Sequence, residues 1–143
     1  MKFGNDKKAV VAQLRQYPTF AQCSDEDLQA LVNAGAAFSL PAGWALVQEG
    51  IPSDACYIIT EGSARVFQDR HEIATMNAGD VVGEMTLLAG GQRRATVTTA
   101  TPTKGWRIEN DALKELLAKR PHLQEALTAV YRSHTQHAAE STE

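Results

Sequence analysis

Between residues 37 and 108 the chain is a succession of short runs rich in Val, Ile, Thr and aromatic residues, each bounded by turn residues. No other feature constrains the fold as much. The runs are ALVQEG, ACYIITEG, SARVFQD, HEIATMNAGD, ATVTTATP and KGWRI, with glycines at 43, 50, 62 and 79 opening or closing them. Short strands at near-regular spacing with such punctuation predict a compact all-β sandwich or roll. Side-chain alternation assigns faces within a run. In ACYIITEG, Cys56, Ile58 and Thr60 point one way, and Tyr57 and Ile59 the other.

The flanks have a different period. Residues 5–36 are expected to be helical: Val10, Val11, Leu14 and Tyr17 recur at helical spacing and then meet Pro18. A second helix should begin at Ser24, whose hydroxyl can cap free amides, while Asp25, Glu26 and Asp27 complement the helix dipole. Its apolar face is Leu28, Leu31 and Val32, ending near Gly35. Residues 110–137 return to helical spacing. Leu113, Leu116 and Leu117 form one face, Pro121 restarts the helix, and Leu123, Ala126, Leu127, Val130 and Tyr131 form the next stripe. The final HAAESTE is expected to fray. The whole is α+β, mainly β, and 1–143 is expected to be a single domain.

Composition narrows the function. At 143 residues, 43% apolar and 22% charged, the chain can bury a core as an ordinary soluble domain. A net charge of −3 gives no reason to expect nucleic acid as a partner, which calls for Lys and Arg gathered on one face. No run resembles a signal peptide or approaches the roughly 18–20 apolar residues of a membrane span, so cytoplasm is the expected compartment. Cys23 and Cys56 lack metal-ligand spacing and are expected to be thiols.

One stretch interrupts the strands: GDVVGEMTLLAGGQRRATV, residues 79–97. Glu84 to Ala89 is helix-compatible for about one and a half turns, with Gly83 before it and Gly90-Gly91 able to end it. The first amides of such a helix have no intrahelical acceptors and suit an anion. Gly83, lacking a Cβ, lets a ligand approach its backbone. Arg93 on the following loop can close over the same anion. Glu84 would repel a bare phosphate but accepts well from a hydroxyl. The combination therefore fits a ligand with an anion beside a hydroxyl, as in a ribose phosphate. Charge-assisted bonds contribute about 1.5–3 kcal/mol each. Micromolar binding needs about 8 kcal/mol, so a base held against apolar walls must supply much of the remainder.

These residues carry a resemblance. The glycine ladder Gly43, Gly50 and Gly62 with Asp54, Tyr57, Ile59 and Val66 comes first. Then follow Gly79, Gly83-Glu84, Leu87, Arg93, Ala95 and Val97, and finally Asp111 and Pro121. Together they resemble the cyclic nucleotide-binding domain family, which includes the regulatory subunits of the cyclic-AMP-dependent kinase and the catabolite activator protein. The resemblance runs from about residue 17 to 134, and the nine-residue step from Glu84 to Arg93 is similar to the family's phosphate-binding cassette, here residues 83–97.

The resemblance implies an eight-stranded antiparallel β-roll (jelly roll) with N-terminal helices, a short cassette helix and C-terminal helices. It implies that Arg93 binds the cyclic phosphate with the amides of Arg94 and Ala95, that Glu84 accepts from the ribose 2′-hydroxyl, and that Gly83 lies beside the ribose. Val66, Met76, Val82 and Met85 would form the wall against sugar and base. The C-terminal helix would cap the base, with Tyr131 as its only aromatic, and offers a face for a homodimer. Arg94 departs from the Ala, Ser or Thr of many relatives. It supplies no hydroxyl for guanine, which favours cyclic AMP over cyclic GMP. Gln92 stands where Pro is common.

Other functions fit less well. A metal enzyme on a similar roll needs two or three histidines and a carboxylate on neighbouring strands, and only His71 lies there. His134 and His137 are three apart on a helix but lack further ligands. An iron–sulfur sensor needs about four cysteines. Trp44 and Trp106 are expected to be packing anchors. No helix-turn-helix follows residue 137, so output is expected through a partner protein or a separate effector. The expectation is a sensor, neither enzyme nor cofactor protein, and the alternative is a ligand-free interaction scaffold on the same roll.

Overall fold

The computed structural model describes residues 6–51, 54–83 and 95–141, with the side chains of Tyr131 and residues 134–141 outside that description. Helix α1 (Lys7–Arg15) begins at Asp6, whose carboxylate accepts from the amides of Lys8 at 3.1 Å and Ala9 at 3.3 Å. Pro18 starts a single 3-10 turn, Pro18–Phe20. Helix α2 (Asp25–Asn33) opens with a reciprocal cap: the Asp27 amide donates to Ser24 Oγ at 3.0 Å and the Ser24 amide to Asp27 Oδ2 at 3.1 Å.

Eight antiparallel strands follow among the described residues. They are β1 (Gly35–Leu40), β2 (Ala45–Val47), β3 (Ala55–Glu61), β4 (Ala64–Gln68), β5 (His71–Met76), β6 (Val81–Val82), β7 (Thr96–Thr99) and β8 (Thr103–Glu109). They form two four-stranded sheets, β1-β8-β3-β6 and β2-β7-β4-β5. Helices α3 (Asn110–Lys119) and α4 (Pro121–Ser141) close the chain, with the break between them at Arg120 and Pro121 opening the second. This is the jelly-roll architecture, mainly β with helices at both ends.

Alternation along the strands divides the core in two. Cys56 and Ile58 of β3, and Trp106 and Ile108 of β8, face outward into a cluster with Leu14, Phe20, Leu28, Leu31, Leu113, Leu123 and Leu127 from the 3-10 turn and all four helices. Ile59, Val66, Met76, Val82 and Val97 face inward between the sheets. Trp106 fixes the helical side to the sheet, its indole Nε1 donating to the Val32 carbonyl at 2.8 Å.

Three local expectations change. Helix α2 ends near Gly35 as expected, but residues 35 and 36, expected to be helical, begin β1. A Cβ on Gly35 would meet the Arg107 carbonyl oxygen, and Ile108 Cγ1 at 2.8 Å, so β8 approaches too closely for any side chain. Trp44 is 56% exposed and anchors nothing. Its backbone is what the fold uses, donating to Thr99 Oγ1 at 2.9 Å and accepting from the Thr99 amide at 2.7 Å, which leaves the ring outside. Helix α4 runs on to Ser141 through Ala138, Ala139 and Glu140, all good helix formers.

Candidate functional site

The inward faces of both sheets bring together most of the residues expected to wall a site. Val66 is the pivot. It is paired across the ladder with Ala74 on one side and Val97 on the other, and its neighbour Ala64 pairs with Met76. From the opposite sheet comes Val82, paired with Tyr57. Val66, Met76 and Val82 are buried in one cluster, and Ala95 packs half-buried against it. These side chains are small or, for Met76, pliable. The structure thus brings Val66, Met76, Val82 and Ala95 together although 29 positions separate the first from the last.

The chain leaves the first sheet at Gly83 and joins the second at Ala95–Thr96. Gly83 has φ +102°, a conformation that costs glycine little and other residues more. The departure point is held by the turn before β6. Asp80 Oδ2 accepts from the Asn77 amide at 2.7 Å. The Gly79 amide donates to the Ile59 carbonyl at 2.7 Å, and the Ile59 amide to the Asp80 carbonyl at 3.0 Å. Glu84, Met85, Arg93 and Arg94 lie outside the described residues, as does the expected cassette helix. The side chains of Tyr131, His134 and His137 are likewise outside the description.

One polar group on the roll-facing side of β8, half-buried, has no counterpart among the expected site residues. Arg107 lies on β8 between the outward Trp106 and Ile108, so alternation turns it inward, opposite Tyr57. Its Nη2 stands 3.6 Å from Asp54 Oδ2 and its Nη1 3.6 Å from Glu109 Oε2. A hydrogen bond with the Tyr57 hydroxyl is the main reason its guanidinium is held more firmly protonated than usual, and the carboxylates add to this. The Tyr57 ring meets Phe38 edge-on at 5.4 Å. The signal was in KGWRIE: Trp and Ile at 106 and 108 facing the helices require Arg107 to face the roll. No group of three or more metal-ligating side chains occurs among the described residues.

Comparison with known proteins adds the family. The family model described as cyclic nucleotide-binding domain matches residues 37–120. An uncharacterized NTE family protein of Mycobacterium tuberculosis is 32% identical over 115 residues, 80% of this chain and 20% of that protein. A cAMP-dependent protein kinase regulatory subunit of Aspergillus fumigatus is 32% identical over 108 residues, 74% of this chain and 26% of that one. Among solved structures, PKAR CBD2 bound to Sp-2Cl-cAMPS superposes with a TM-score of 0.84 at 19% identity, covering 99% of this chain and 95% of that chain. The chain spans about a fifth to a quarter of the length of these two curated relatives. With the family model matching more than half of its residues, and with that family's two-sheet roll, the chain belongs to the cyclic nucleotide-binding domain family.

Proposed function

We propose that this chain binds a cyclic nucleotide, cyclic AMP in preference to cyclic GMP, and answers by repacking α4. The observation that carries the reading is the convergence of Val66, Met76, Val82 and Ala95 on one apolar cluster beside Gly83, where the backbone is left-handed. In this reading Arg93 holds the cyclic phosphate together with the amides of Arg94 and Ala95. Glu84 accepts from the ribose 2′-hydroxyl, and Met85 extends the wall.

The preference for cyclic AMP rests on Arg94, which offers no hydroxyl to guanine. It agrees with what the matched kinase subunit's name says of that protein and with the ligand in the superposed structure. Residues 1–143 act as one non-catalytic sensor in the cytoplasm. The curated relatives are several times longer, so the output goes to a partner or an effector, and α4 offers a homodimer face.

Titration calorimetry with cyclic AMP and cyclic GMP tests the reading. Arg93→Ala should weaken cyclic AMP about 10- to 100-fold, the equivalent of one or two charge-assisted bonds. Glu84→Ala should weaken it less. Heat that survives Arg93→Ala undiminished overturns the assignment of the phosphate site. Silence with both nucleotides in the unaltered protein leaves the roll as an interaction scaffold.

A further inference from the structure

We propose that two copies of this chain associate through the free edge of β1, which pairs antiparallel with β1 of the second copy about a two-fold axis. The inference does not depend on nucleotide binding, and the face it uses is separate from α4.

Among the described residues the two sheets end in four outer strands, β1 and β6 in one, β2 and β5 in the other. Half the backbone N–H and C=O groups of an outer strand point away from its sheet, and a bare edge pairs with any strand it meets. Three of the four edges are guarded. Strand β6 is two residues long. Strand β2 has three residues, and its register slips between Ala45 and Val47. Strand β5 exposes His71 and Glu72, and its ladder with β4 slips between Val66 and Phe67. Strand β1 has none of these devices. Its six residues pair with β8 in unbroken register from Gly35–Ile108 to Leu40–Thr103, which keeps the edge regular. None of the six is charged, and Ala36, Ala37 and Ser39 are exposed.

The lack of charge reaches well beyond the strand. Between Asp27 and Glu49 no residue is charged, the longest such run in a chain of which 22% is charged. The run holds the exposed Gln29 and Asn33 of α2, the edge of β1, the exposed residues 41–43 and then Trp44, whose side chain is largely in solvent. Solvated strand edges carry charge, whereas the centres of protein interfaces are depleted of charge and enriched in aromatic residues. This flank has the composition of an interface.

The occupant that fits it is a second copy. In two-fold pairing a strand meets itself, so any charge on the edge would face its like. Two copies that each carry a net charge of −3 approach most easily where both are neutral, whereas a partner of opposite charge gains nothing from a neutral edge. The exposed side chains along the join, Ala36, Ala37 and Ser39, are small and leave room for close approach. Antiparallel pairing about Ala37 brings the Trp44 end of one edge toward the Asn33 end of the other, uncharged on both sides. An axis perpendicular to the sheet keeps the helices of both copies on one side. One sheet then runs through both, the order β6-β3-β8-β1 continuing into β1-β8-β3-β6 of the second copy.

Sedimentation equilibrium of the whole chain tests the contact. A short strand pair with a tryptophan at each end is a small interface, so a dimer should form at about 100 µM and dissociate on dilution. Ala37→Lys and Ala37→Glu each set a charge near its like and should be monomeric at that concentration. Mixed in equal amounts they should form a dimer with one copy of each, seen by native mass spectrometry, which a misfolded variant does not do. Trp44→Ser should weaken the dimer about tenfold, through lost apolar contact. A dimer that survives in both Ala37 variants assigns the pairing to another face, α4 included, and overturns the proposal. A mixture of the two that stays monomeric overturns it as well. So does an unaltered chain that is monomeric at about 100 µM, which leaves the edge to an extended segment of another protein. Mass that grows without limit overturns the two-fold join in favour of open-ended aggregation.

Discussion

The two sides of the sheet β1-β8-β3-β6 are packed to different standards. On the outer side, Leu14, Phe20, Leu28 and Leu123 are wholly enclosed by helices that come from both ends of the chain. Among the described residues, the buried ones on the inner side are fewer and smaller, and Phe38, Tyr57, Ile73, Ala74 and Ala95 are half-buried around them. The outer side has the dense, large-residue packing that stabilises a domain. The inner side leaves apolar surface partly uncovered, which is what a site needs if a ligand is to complete it. With the site proposed above, stability and recognition fall on opposite faces of one sheet.

The largest effect expected from this division is on the helical side. Phe20→Ala should lower the unfolding free energy by about 3–5 kcal/mol, read from urea denaturation. Nucleotide affinity in the variant that still folds should be unchanged. Val66→Ala should do the reverse: a stability loss of only about 1.5 kcal/mol, for roughly two buried methylene equivalents, with a clear loss of cyclic AMP affinity by calorimetry. If Phe20→Ala weakened binding as much as Val66→Ala did, the division would be broken.

A smaller effect separates the faces by pH. Burial pushes the Asp27 carboxyl up, but the Ser24 amide, the Ser24 hydroxyl and Arg120 together outweigh it and hold its pKa below the usual value. The stability it contributes is fully present above the ordinary carboxylate range and is lost as pH falls through its lowered folded value. The urea midpoint of the unaltered protein should therefore drop on acidification, and Asp27→Asn should flatten that limb. An identical acid limb in both proteins would show that Asp27 does not contribute.

The smallest effect concerns the Cys23 thiol. Burial first, and the neighbouring Asp27 charge second, push its pKa up to about 11, against a modest opposing pull from Arg15. At neutral pH it should resist iodoacetamide in the folded protein and react once urea opens the helical side. Rapid labelling of the native chain would show that this side breathes more freely than its packing implies.

Much of this was legible in the chain because it was written in local terms. Period-two runs between glycines marked the strands, and Ser24 followed by the acids Asp25, Glu26 and Asp27 marked the start of α2. What was not legible depended on distant neighbours. Gly35 can end a helix or begin a strand, and Trp106 with Ile108, more than seventy positions on, decides. Trp44 looks like an anchor until Thr99 is seen to hold only its backbone. For the site, the roles of Val66, Met76, Val82 and Ala95 came from family resemblance. Alternation alone puts residues on a face without saying that the face belongs to a pocket. Arg107 was the opposite case. Its parity was readable, but its partners Tyr57 and Asp54 sit on and beside another strand.

The order of the first sheet has a consequence for how such a chain comes into being. Strand β8, the last to be synthesised, lies between β1 and β3, pairing Gly35 with Ile108 on one edge and Ile58 with Trp106 on the other. Neither early strand acquires its central neighbour until residue 109 has left the ribosome, so the roll is assembled late and from far-separated pieces. Such topology makes for slow folding. Until that last strand arrives, β1 and the β8-facing edge of β3 stay unpaired, and open strand edges of this kind leave a nascent chain prone to aggregate.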